Sequence, residues 1–111
     1  MRKVCPACAR PRAPSREEVA FLGRFGLRVR HLLDAAGCEA CGGTGFKGRT
    51  AIVEVFAVDE TIEDMILRGE STAVLGRHLA RMGFVGLLHA GLRKAVHGVT
   101  TPAEVQSVVM D

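Results

Sequence analysis

Residues 37–49 read Gly37-Cys38-Glu39-Ala40-Cys41-Gly42-Gly43-Thr44-Gly45-Phe46-Lys47-Gly48-Arg49. Two cysteines separated by two residues, with glycines directly after, are the pattern of a metal knuckle, a tight turn whose thiolates point at one ion. Gly42 and Gly43 suit such a turn, because positive φ lets backbone N–H groups approach sulfur. A second pair, Cys5-Pro6-Ala7-Cys8, stands near the start, and the two pairs account for all 4 cysteines of the 111-residue chain. The 29 residues between the pairs exceed compact ribbon spacing, but loop-closure entropy grows only slowly with length. Cys5, Cys8, Cys38 and Cys41 are therefore expected to hold one zinc ion in a tetrahedron with Zn–S near ~2.3 Å.

The same cysteines admit other readings. They could form two disulfides or a redox dithiol, although two matched pairs exceed what a redox site needs. His31 is the nearest candidate to replace one cysteine as a ligand. His78 lies on the apolar side of its predicted helix and reads as a satisfied core or boundary residue, while His89 and His97 have no ligand-spaced neighbours. Four thiolates leave zinc no open coordination position, so the expected role is structural and no catalytic residue is assigned.

Outward from the cysteines, residues 49–58 are β-branched and apolar on both alternating faces, which predicts a strand wanting burial on two sides. Residues 27–33 alternate weakly and suggest a shorter strand. Ser15-Arg16-Glu17-Glu18 is a capping box opening a short helix, ended by Gly23 and Gly26. Past the strand the pattern is helical. Asp59 and Ser71 cap two helices, a third runs from about Val85 to His97, and Thr101-Pro102-Ala103-Glu104 is a capping box for a fourth. The expected fold is α+β: a zinc module over residues 1–58 with one long strand at 49–58 and short strands, then a bundle of about four helices over residues 59–111.

Length and charge bound the function. A chain of 111 residues buries roughly 65% of its unfolded surface, so its core is thin and a metal staple is useful. Its longest run without Asp, Glu, Lys or Arg is residues 82–92, short of the ~18 needed to span a bilayer. The start lacks an apolar signal region, so a reducing cytosolic address is the expectation. Net charge is +3, with the basic residues concentrated in residues 1–50. A basic half raises a zinc-ribbon nucleic-acid binder, but the chain has 0 Trp, 0 Tyr and only 5 Phe for stacking, which argues against it. Arg2, Arg10, Arg12 and Arg49 are instead expected to offset the −2 of a four-thiolate zinc site, which would itself bring the chain to about +1. Residues 42–50 are no phosphate loop, because Lys47 is followed by Gly48 instead of Ser or Thr.

The motif Gly37-Cys38-x2-Cys41-x2-Thr44-Gly45-Phe46-x-Gly48-Arg49-x2-Ile52-x-Glu54 resembles the segment after the Walker motifs in the ATPases of type II secretion and type IV pilus assembly, the GspE/PilB-like kind. Val4-Cys5-Pro6-x-Cys8 resembles their first cysteine pair. Met82-Gly83-x3-Leu87-x3-Gly91-Leu92-x-Lys94-x3-Gly98-Val99-Thr100-Thr101-x2-Glu104-Val105 is similar to their C-terminal stretch. Phe46 and Val53 stand where Tyr is common, and Ala90 where Asp is common. The resemblance implies the zinc-stabilised C-terminal part of a cytoplasmic hexameric motor. ATP and Mg2+ would bind only in the full-length parent, whose Walker motifs would lie upstream. Implied partners are the upstream ATPase core, neighbouring hexamer subunits and inner-membrane platform proteins, with peripheral membrane association through those partners. Cys38-x2-Cys41-Gly42-Gly43-Thr44-Gly45 also fits the zinc repeat of J-domain cochaperones, but the first pair lacks the repeat's glycines.

Overall fold

A computed structural model describes residues 1–109. The expected α+β class holds: two two-stranded antiparallel sheets and five α-helices. The strands are β1 (Arg2–Val4), β2 (Ala9–Arg12), β3 (Leu32–Ala35) and β4 (Phe46–Arg49). The helices are α1 (Arg16–Gly23), α2 (Glu60–Leu67), α3 (Thr72–Arg81), α4 (Leu87–Val96) and α5 (Pro102–Val109). The chain forms two compact units, one of Met1–Ile52 joined by the chain from Leu87 on, the other Val53–Gly86. The helices expected after residue 59 are thus divided between the units.

In the first unit β1 pairs with β4, Arg2 opposite Arg49 and Val4 opposite Phe46, with an irregularity between. β2 pairs with β3, with Arg10 opposite Asp34 and Pro11 opposite Leu33. Each sheet therefore joins a strand flanking one cysteine pair to a strand flanking the other. The segment between the pairs is not a free loop: its two ends close as β2 and β3, and α1 lies between them. α1 begins at the expected box, where Ser15 Oγ accepts from the Glu18 N–H at 3.1 Å and Glu18 Oε1 accepts from the Ser15 N–H at 2.9 Å. Leu22 of α1, Leu32 of β3, Leu92 and Ala95 of α4, and Val105 of α5 form the core. Full burial of each leucine contributes about 2–3 kcal/mol. Gly91 brings α4 against α5: a Cβ there would stand 2.5 Å from Val105 Cγ1.

The second unit holds α2 and α3, capped by Asp59 Oδ1 and Ser71 Oγ as expected. Ile62, Met65 and Leu79 are buried, and Phe56 meets Phe84 edge to face at 5.8 Å.

Two strand expectations are corrected. The shorter strand forms at Leu32–Ala35 and not from Leu27, where the ladder with β2 sets its register. No long strand spans residues 49–58. β4 stops at Arg49, residues 50–59 are irregular, and Val53 and Val55 stand 64% and 77% exposed. The β-propensity of this run is a preference for a pleated, buried surface, and among the described residues no strand pairs with it.

Candidate metal centre

Buried Val4 ends β1 and delivers Cys5 into the first turn, where the Cys8 and Ala9 N–H groups both return to the Cys5 carbonyl, at 3.3 and 2.9 Å. The second turn is a single 3-10 turn over Glu39–Cys41, closed by Gly42 at φ 66°. The Gly43 N–H donates to the Cys38 carbonyl at 2.8 Å, and the Cys5 N–H donates to the Gly45 carbonyl at 2.9 Å, tying one turn to the other. Gly45 itself has φ 82°, and a Cβ on it would lie 2.6 Å from the Ala35 carbonyl oxygen. Only glycine satisfies both the sign of φ and the close approach.

These turns bring together all four cysteines named from the sequence. Their sulfurs lie within 4.8 Å of one another. The separations are 3.8 Å for Cys5–Cys38, 3.9 Å for Cys8–Cys41 and 3.7 Å for Cys38–Cys41. A tetrahedron with Zn–S of ~2.3 Å has corners ~3.8 Å apart, whereas a disulfide needs S–S of ~2.05 Å. All four cysteines are free thiols here. Backbone N–H groups reach the sulfurs: Gly37 donates to Cys8 Sγ at 3.3 Å, and Cys38 and Gly45 donate to Cys41 Sγ at 3.2 and 3.1 Å. Such bonds favour thiolate, the form that ligates. The thiols are driven apart in acidity. Burial, only partly opposed by the Gly37 N–H, pushes Cys8 up to about 11. Burial also acts on Cys41, but the Cys38 and Gly45 N–H groups outweigh it and hold that thiol at about 6. Clustered thiols without a cation cannot all ionise, and a divalent ion removes that conflict. The donor set thus fits a soft, tetrahedral ion.

His31 is not among the clustered ligands. His78 is not satisfied as expected: its Nε2 is buried without a hydrogen-bond partner. Two of the arginines expected to neutralise the site are engaged elsewhere. Arg12 Nη1 and Nη2 clasp Glu18 at 2.6 and 2.7 Å while its Nε reaches Asp34 at 2.7 Å. Arg2 binds Glu104 and lies over the Phe46 ring, 4.1 Å from its centroid. The sequence signals neither clasp, since a capping-box glutamate carries no local sign of an arginine partner for its carboxylate.

Residues 1–107 match the family described as Type II/IV secretion system protein. The chain is 38% identical over 107 residues to a type IV pilus assembly ATPase PilB of Thermus thermophilus, covering 95% of this chain and 12% of that protein. It is 33% identical to the PilB of Myxococcus xanthus over 94% of this chain and 19% of the relative. It is 34% identical to a type II secretion system protein E of Pseudomonas aeruginosa over 100% of this chain and 22% of the relative. The chain thus spans less than a quarter of the length of these curated relatives.

Proposed function

The chain belongs to the type II/IV secretion system protein family, and on that premise we propose that it is the zinc-stapled C-terminal part of a secretion or pilus-assembly ATPase, with a structural and contact role in a hexameric motor. The observation that carries the metal reading is the set of sulfur separations, 3.7, 3.8 and 3.9 Å. Cys5, Cys8, Cys38 and Cys41 would hold the ion. Zinc in four thiolates is coordinatively closed, so it supplies rigidity and no Lewis-acid chemistry. The chain's own residues do the rest. The N–H groups of Gly37, Cys38 and Gly45 steady the thiolates, and the two sheets fix both turns at once.

Adenine nucleotide and Mg2+ would be bound by the ATPase core of the parent. The exposed apolar run at residues 53–58 is the surface we propose that core covers. Its valines, unpaired and in water, suit burial against a larger sheet. Neighbouring hexamer subunits and inner-membrane platform proteins are the further proposed partners, reached from the cytoplasmic side. No helix among the described residues is long and apolar enough to cross a membrane. A stand-alone nucleic-acid role is less well supported, because Arg2 and Arg12 are bound to carboxylates instead of lining a basic stripe.

Melting followed by circular dichroism, with and without chelator, tests the role together with ATP turnover. A structural site gives a lower midpoint on metal removal and no turnover in either state. Turnover that needs the metal would overturn the structural assignment.

A further inference from the structure

The first unit carries a cleft of about 730 Å3 that the metal reading does not use. Its floor is apolar: Val4 of β1, Leu33 of β3 and Val99 after α4, flanked by Pro6 of the first cysteine turn and Pro11 of β2. The prolines have no N–H to offer a ligand's backbone, so recognition there falls to side chains. Two cations stand at this cleft, Lys3 and Lys47, from the paired strands β1 and β4. Both are exposed, and neither has an ion-pair partner among the described residues. No carboxylate lines the cleft.

The floor is rigid. The Val4 N–H donates to the Val99 carbonyl at 3.0 Å. Gly98 at φ 78° leaves the space beside Leu33 Cδ1 open, since a Cβ there would lie 3.4 Å from it. The Lys3 stem passes Gly48, whose missing Cβ would lie 3.9 Å from Lys3 Cδ. A preformed apolar floor with two uncompensated ammonium groups selects its occupant by charge and shape.

We propose that this cleft docks a peptide segment of a partner protein that carries an apolar anchor flanked by carboxylates. The apolar side chain would fill the floor, and the carboxylates would meet Lys3 and Lys47. The concavity disfavours a flat bilayer, the apolar floor disfavours a free inorganic anion, and no aromatic lines it to stack a nucleobase. The inference rests on reading the module as a contact element of the motor.

The test uses the metal-loaded chain and a fluorescein-labelled hexapeptide with two leucines between pairs of acidic residues, followed by anisotropy. Saturable binding is expected, weakened by added salt. It should fall about tenfold for the peptide's amide isostere, and about tenfold for the Lys3→Gln, Lys47→Gln double variant. Pro11→Glu, which places a carboxylate in the cleft from an exposed strand position, should abolish it. Zinc content and the circular dichroism spectrum confirm that each variant is folded. Absence of binding to the folded, zinc-loaded chain overturns the docking site and leaves the metal reading standing. Equal binding by the double variant overturns it too. So does competition by inorganic phosphate at matched concentration, or binding of phosphatidylglycerol vesicles without binding of the peptide.

Discussion

Arg2 and Glu104, 102 positions apart, are joined by three hydrogen bonds: the Arg2 N–H and Nε to Oε2 at 2.7 and 3.1 Å, and Nη2 to Oε1 at 2.9 Å. Beside them Thr100 Oγ1 donates to the Arg2 carbonyl at 2.7 Å. The strand that presents Cys5 is thereby fastened to the turn before α5 and to its first turn. Residues near both ends of the chain thus meet within the first unit.

Glu104 is 6% exposed, so removing its arginine leaves a buried carboxylate that has lost its charged partner. Arg2→Ala should destabilise the first unit, read as a lower melting midpoint, and should speed zinc loss to a chelator. An unchanged midpoint would show that the clasp is incidental.

Gly91 and Gly76 make a matched pair. Both are helical, and alanine is intrinsically better there by about 1 kcal/mol. A Cβ at Gly91 would meet Val105 Cγ1 at 2.5 Å, while one at Gly76 meets nothing within 4 Å. Gly91→Ala should cost a net ~1–3 kcal/mol through overpacking, and Gly76→Ala should stabilise by up to ~1 kcal/mol. Chemical denaturation of the two variants decides it.

The Arg12 clasp lowers the Glu18 pKa to about 2. The folded value lies below the unfolded ~4.3, so this stabilisation is complete above about pH 5 and is lost as pH falls toward 2. The groups are partly exposed, which limits the effect to about 1 kcal/mol. Glu18→Gln should lower stability at pH 7, by less than half as much at pH 3, and leave it nearly unchanged only below about pH 2. An equal loss at pH 7 and pH 3 would contradict the assignment.

What the sequence made legible was local. The cysteine spacing, the Ser15, Asp59 and Ser71 caps, and the positive-φ glycines Gly42 and Gly43 depend on neighbours within a few residues, and the structure contains each. What it hid was tertiary. Thr101-x2-Glu104 reads as a capping box, and Thr101 Oγ1 does accept from the Glu104 N–H at 3.2 Å. The Glu104 carboxylate, however, is taken by Arg2, a charged partner that outcompetes a backbone N–H. Residues 50–58 have strand propensity and, among the described residues, no strand to pair with, and propensity alone supplies no hydrogen-bond partner. His78 reads as a satisfied helix residue, yet whether a buried nitrogen finds a partner depends on packing that helical spacing does not encode.

Everything proposed for the first unit depends on one zinc ion held in four thiolates. X-ray absorption at the zinc edge, with metal content measured on the same sample, tests it most directly. One zinc per chain and a single shell of four sulfurs at ~2.3 Å are expected. A folded chain without metal, or a shell containing nitrogen or oxygen, would contradict it.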